Sequence, residues 1–309
     1  MKKILGLGAA GALAVLWFAS CASNEPDEAA ENSDQAASEA VTWFTAQSVA
    51  DGVWRIDDHG GDNIYLVEGD DQALLIDTGT GIADLAAFAR TLTEKPLIVV
   101  NTHGHPDHAG GNFQFDEVYG HPADAEMARQ VSTRESHASS VQRTIERAPE
   151  FESLVLGEDA DFRSTVLQPV EAGTRFELGG RTLEVIEVPG HTPGSICLLD
   201  GANRLLFAGD NSNLLVWLFL DASLPLEVYE QTLQKLNARA GEFDTVFPGH
   251  GAPLDTAFIG EQIACVKSIL DGTCEAKPYQ SFAGDASQCS YERATVAFDP
   301  NKLRASQLD

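Results

Sequence analysis

At 309 residues the chain carries 47 acidic against 20 basic side chains, a formal charge of −27. A surface of that sign repels phosphate backbones and anionic headgroups, which argues against nucleic acid or an anionic bilayer surface as electrostatic partners. An apolar fraction of 43% is ample for a core, in one large domain or two small ones.

Two lysines and an apolar run over residues 4–18 open the chain, and that run is too short to span a bilayer comfortably. The pattern predicts a secretory signal over residues 1–21. Its end, Phe18-Ala19-Ser20-Cys21, resembles the lipobox of bacterial lipoproteins. The resemblance implies a lipidated Cys21 and a membrane-anchored protein facing the periplasm, the membrane being met by the lipid anchor alone. Ordinary cleavage nearby would leave a soluble periplasmic protein. Residues 22–40 read as a disordered acidic tether: from 24 to 40 there are six acids, no base and no large apolar side chain. Burial there has nothing with which to offset ordering entropy.

The folded domain is expected over residues 41–309. Residues 53–56 and 63–67 read as two strands, joined across a glycine-bearing turn that places His59 on a loop over a site. A third strand covers 73–76 and ends in Asp77. Apolar residues at helical spacing from Ile82 to Leu92 follow, then an unbroken apolar run over 97–100, the pattern of a buried parallel strand. A short strand at 117–119 precedes a polar, helix-prone region from about 122 to 150. Strands are predicted at 181–188, 196–199, 204–208 and 245–247, with helices over 226–240 and 257–270. Residues 295–298 read as a last edge strand. The run 214–220 is apolar for a loop, and either lines a cleft or packs in the core.

Chemistry-bearing side chains gather where these apolar runs stop. His103, His105, Asp107 and His108 fall within six positions after the strand at 97–100. His191, Asp210 and His250 each follow a later strand. Imidazole and carboxylate are the ligands that zinc-like ions accept, and strand ends are where α/β sheets assemble sites. A lone histidine at any of these positions would read as a satisfied polar side chain; the set together reads as two coordination spheres.

The ordered set HxHxDH, H, D, H, preceded by LLIDTG, resembles the metallo-β-lactamase superfamily from about residue 53 to 251. The resemblance implies an α/β fold, a four-layer αββα sandwich, and two divalent cations. Zinc is the expected metal, with iron or manganese as alternatives. His103, His105 and His191 would hold the first cation and Asp107, His108 and His250 the second, with Asp210 bridging and Asp77 supporting from outside. Two cations roughly 3.5–4 Å apart make a hydroxide of the water between them. Asp107 would orient that nucleophile and pass on its proton.

An aspartate at 210 resembles the glyoxalase II, lactonase and phosphodiesterase branches more than the classical lactamases. The expected activity is an exported metal-dependent hydrolase cleaving an ester, lactone or amide bond in a small molecule with a neutral or apolar acyl part. β-Lactam and phosphodiester hydrolysis are the alternatives. A di-iron oxidoreductase of the flavodiiron type and a non-catalytic binding protein on the same scaffold fit less well. Cys274 and Cys289 are predicted to pair in an exported chain, whereas Cys197, in a strand, and Cys265, in a helix, are expected as buried thiols. His121 and His137 are assigned no catalytic role.

Overall fold

In the computed structural model, which describes residues 42–157 and 159–307, strands β1 (Phe44–Ala50), β2 (Val53–Asp58), β3 (Asn63–Glu68) and β4 (Ala73–Ile76) form an antiparallel meander. Helix α1 (Leu85–Leu92) leads to β5 (Leu97–Val100), and helix α2 (Pro106–Ala109) starts just beyond it. β6 (Glu117–Gly120), helices α3 (Ala125–Val131) and α4 (Arg134–Arg147), and β7 (Val166–Pro169) follow. β4 to β7 run parallel and complete a seven-stranded sheet in chain order. The signal, Cys21 and tether expectations lie outside the described residues.

The unbroken apolar runs are explained by burial on both faces. In β4, Leu74 and Ile76 enter a core shared with the second sheet, while Ala73 and Leu75 enter an outer core with Leu85 of α1. Each leucine so buried contributes about 1.5–3 kcal/mol, which accounts for the absence of a polar alternate. The second sheet contains β8 (Arg175–Glu177), β9 (Thr182–Glu187), β10 (Ile196–Asp200) and β11 (Leu205–Gly209). Phe207 faces the first sheet; Leu206 and Ala208 face the opposite way.

Beyond β12 (Leu215–Leu218) come helix α5 (Leu226–Ala238), β13 (Thr245–Pro248), β14 (Leu254–Asp255) and helix α6 (Ala257–Leu270). β13 pairs parallel with β11, and β14 closes that edge of the second sheet. Leu233 of α5 and Phe258 and Ile259 of α6 pack against the outer face of this sheet. The order helix, sheet, sheet, helix is the four-layer arrangement expected of the chain.

The structure decides three local readings. The apolar run at 214–220 contains strand β12, paired parallel with β17 (Ala294–Phe298). It was apolar because Val216 and Leu218 enter the core under α5 and α6. β17 is interior, not an edge: it lies between β12 and β16 (Gly284–Tyr291) in a four-stranded sheet completed by β15 (Lys277–Ser281). His59 is exposed, its ring against Trp43 and Phe151 at 4.8 and 4.2 Å, and it is Asp57, Gly60 and Asp62 of the same turn that border the pocket beside His250. Cys274 and Cys289 are disulfide-bonded across 15 positions, and Cys197 and Cys265 are free and buried.

Candidate metal centre

Every sequence-predicted ligand stands at the end of one of these strands, on the same margin of the two stacked sheets. β5 delivers His103 and His105, and α2 begins immediately after, with Pro106 in its first turn. Helical geometry then presents Asp107 and His108 together. The turn from β9 to β10 carries His191; β11 ends at Asp210 and β13 at His250. The positive φ of Gly209 (+49°) makes the Asp210 turn, and a Cβ there would come within 2.6 Å of the Thr102 hydroxyl. Only glycine fits.

The seven side chains resolve into two groups. His103 Nε2 lies 3.1 Å from His105 Nδ1, which lies 2.9 Å from His191 Nε2. In the other group, His250 Nε2 is 3.4 Å and His108 Nε2 is 3.8 Å from Asp107 Oδ2. Asp210 reaches both: 3.5 Å to His191 Nε2, 3.4 Å to His108 Nε2 and 3.3 Å to His250 Nε2.

Partners outside these groups set which ring nitrogen is turned inward. Asp77 accepts from Thr102 N (2.7 Å), from the Thr102 hydroxyl (2.8 Å) and from His108 Nδ1 (2.9 Å). The Thr102 hydroxyl, its proton given to Asp77, accepts from His103 Nδ1 at 3.1 Å. His191 Nδ1 donates to the Trp217 carbonyl at 2.7 Å. Each of these bonds leaves the Nε2 lone pair facing the centre, as outer partners of metal-binding histidines do.

Three supports had no sequence signal. Buried Asp124 accepts from Gly104 N (3.0 Å), the Thr192 hydroxyl (2.5 Å) and Gly194 N (2.8 Å), tying the His103 loop to the His191 loop. Asn63 Nδ2 donates to the carbonyls of Pro248 and Gly251 (3.0 and 2.9 Å) and holds the His250 loop from both sides. Asp62, buried beside His108 with both carboxyl oxygens unpartnered, forms a further cluster with Asp77.

The electrostatics of the two groups are opposite. Burial, reinforced by the neighbouring imidazoles, holds His103 well below its usual value and His105 down at about 3. At His108 burial also favours the neutral ring, but Asp210 and Asp77 overcome it and hold the value well above the ordinary one. His250 is likewise raised, to about 10, by Asp210 and Asp107 against burial. Burial would raise Asp210, yet His250 and His108 hold it well below the carboxylate range.

These residues fit divalent cations. Ring nitrogens of His103, His105 and His191 converge lone pair to lone pair, within 4.8 Å of one another, as do the acceptors of Asp107, His108 and His250. Nε2 of His108 is buried without a hydrogen-bond partner. Such orphaned atoms are costly unless a cation joins them. Beside His250 a polar pocket of about 290 Å³ opens, bordered by Arg55, Asp57 and Asn63.

The profile of the metallo-beta-lactamase superfamily matches residues 57–250. The acyl-coenzyme A thioesterase MBLAC2 of Bos taurus is 33% identical over 68% of this chain and 82% of its own length. An atrochrysone carboxyl ACP thioesterase of Emericella nidulans is 28% identical over 62% of this chain and 52% of its own. Among solved structures, a metallo-beta-lactamase from Pontibacter korlensis superposes with a TM-score of 0.53 at 20% identity, covering 72% of this chain and 99% of its own.

Proposed function

We propose that this chain, which belongs to the metallo-beta-lactamase superfamily, is a dinuclear zinc thioesterase or esterase acting on a small molecule with an apolar acyl part. It is a hydrolase of that fold; the substrate class, the metal and the ligand roles are the proposal. One observation carries it: Asp210 stands within 3.5 Å of a nitrogen from each histidine group. The thioesterase relatives support the acyl reading, since they share this scaffold over most of their length.

In this reading His103, His105 and His191 hold one cation, Asp107, His108 and His250 the other, and Asp210 both. When bound, the pair of cations supplies positive charge that acidifies a water and polarises a carbonyl oxygen. Asp107 is the least enclosed of the ligand carboxylates, 36% exposed at its side chain. Its Oδ2 accepts the proton released by the attacking water and returns it to the departing thiolate or alkoxide. Asp77 and Thr102 keep the rings of His108 and His103 from turning. Cysteine is not needed as a nucleophile, and the free thiols Cys197 and Cys265 lie buried in the core.

Export belongs to the same proposal. It rests on the signal-like residues 1–21, with lipidation at Cys21 anchoring the domain through the acidic tether of residues 22–40 on the periplasmic side. Cell fractionation of the full chain tests that part. The activity is tested with dodecanoyl-coenzyme A, p-nitrophenyl dodecanoate, a lactone, nitrocefin and bis-p-nitrophenyl phosphate, before and after chelation. Thioester or ester turnover, lost on chelation and restored by zinc, is expected. Turnover of nitrocefin or the phosphodiester alone would overturn the acyl reading.

A further inference from the structure

We propose that Trp217, Phe219, Tyr279 and Phe282 form the surface that receives the apolar acyl chain of the substrate, an inference that rests on the acyl reading above. The starting point is β12. Its alternation sends Val216 and Leu218 into the core and leaves Trp217 half-buried on the other face. There the Trp217 ring meets Phe219 at 5.3 Å, Phe282 at 5.4 Å and Tyr279 at 6.2 Å, and Phe219 meets Tyr279 at 6.0 Å.

Phe282 is 97% exposed. A single exposed apolar residue needs no explanation, but four contiguous aromatic rings make a patch of the kind that marks a binding surface. The patch is also held in place. Trp217 Nε1 donates to the Tyr279 hydroxyl at 2.9 Å. Phe282 lies at the turn between β15 and β16, where the Ser281 hydroxyl bonds across to Gly284 O at 3.1 Å, and the disulfide joins Cys274, ahead of β15, to Cys289 in β16. An aromatic displayed on a braced hairpin loses little entropy on meeting an apolar chain.

Continuity with the metal centre identifies the occupant. Nδ1 of His191 donates to the Trp217 carbonyl itself at 2.7 Å, so the patch begins one hydrogen bond from a candidate ligand. An acyl tail extending from a carbonyl at the centre is the apolar group of the proposed substrate that such a neighbouring patch would receive. The pocket beside His250 is lined by charged and polar side chains and suits the leaving group instead.

The test measures kcat/KM for a series of acyl-coenzyme A thioesters from acetyl to dodecanoyl. Phe282→Ala and Phe219→Ala should each lower the dodecanoyl-to-acetyl ratio about tenfold, mainly through KM, as expected for one lost apolar anchor. Val166→Ala, an exposed apolar site on β7, should leave the ratio unchanged. In parallel, dodecanoate should shift the tryptophan fluorescence of the wild type but not of Trp217→Phe. If no thioester or ester is hydrolysed, the functional reading fails and with it the substrate role of the patch, even where dodecanoate binding still requires Phe282. Hydrolysis with an unmoved ratio in Phe282→Ala overturns the inference alone. Loss of binding to phosphatidylglycerol vesicles in Phe282→Ala, again with an unmoved ratio, also overturns it and assigns the patch to a lipid surface.

Discussion

Asp77 and His108 are 31 positions apart and joined by a 2.9 Å hydrogen bond from the imidazole Nδ1 to the carboxylate Oδ2. The same carboxylate takes the Thr102 backbone N–H and hydroxyl, so one buried acid orients residues of both cation groups. Asp77→Asn keeps the shape but puts an amide N–H where an acceptor is required. Zinc affinity should fall by about 10–100-fold while the circular dichroism spectrum is retained. Competition with a chromophoric chelator measures it; unchanged affinity would show that Asp77 is only a packing residue.

Asp210→Ala removes the carboxylate that reaches His191, His108 and His250. The purified variant should retain no more than one equivalent of metal and lose more than about a hundredfold in kcat/KM. Metal analysis of wild type and variant side by side decides it. Two equivalents retained with full turnover would remove the bridging role.

Asp124→Ala should act on stability and on metal binding together. It leaves the buried backbone N–H groups of Gly104 and Gly194 without their acceptor, while the Thr192 hydroxyl keeps Ser195 Oγ at 2.8 Å. Each such orphan costs about 1–3 kcal/mol, so the urea midpoint should fall by the equivalent of about 3 kcal/mol. Metal affinity at the His103, His105 and His191 group should fall with it, because the clamp joins the two loops that carry them.

The two cations should differ in pH dependence. With His105 lowered to about 3, its ring is neutral at pH 7 and gives up no proton to a metal. With His250 raised to about 10, its ring is protonated at pH 7 and must release that proton on binding. Below pH 10, apparent affinity for the second cation should therefore drop at least about tenfold per unit of falling pH, one factor of ten for each proton that His250 and His108 release. The first should fall less steeply over the same range, because the His103 and His105 rings are held neutral there. Calorimetry in two buffers of different ionisation enthalpy counts the protons; equal release by both cations would contradict the assignment.

The disulfide closes 15 positions, for which the chain-entropy model gives about 3 kcal/mol. Replacing both Cys274 and Cys289 by serine should lower stability by about that amount, read from denaturant unfolding. Since the hairpin carrying Phe282 is braced by the same bond, the double variant should also blunt the preference for long acyl chains.

Much of this molecule was legible in one dimension. β4 and β5 were read to the residue, because strands buried on both faces admit no polar side chain and leave an unbroken apolar run. α6 was read as closely, its apolar positions recurring at helical period up to Leu270. β1, β7, β8, β15 and β16 escaped, since each is half-exposed and mixes polar with apolar side chains without clear alternation. β17 was found but placed at an edge, because a residue pattern carries no information on how many neighbours a strand has.

The candidate centre was legible in residue type and order: imidazole and carboxylate groups set at the ends of buried strands, with glycines where the backbone must turn. The grouping followed from the family resemblance; their distances, and the braces other than Asp77, came from the folded chain alone. Asp124, Asn63 and the Trp217 carbonyl act across 70, 188 and 26 positions. Such pairings depend on sheet register and on how two sheets stack, and local periodicity records neither.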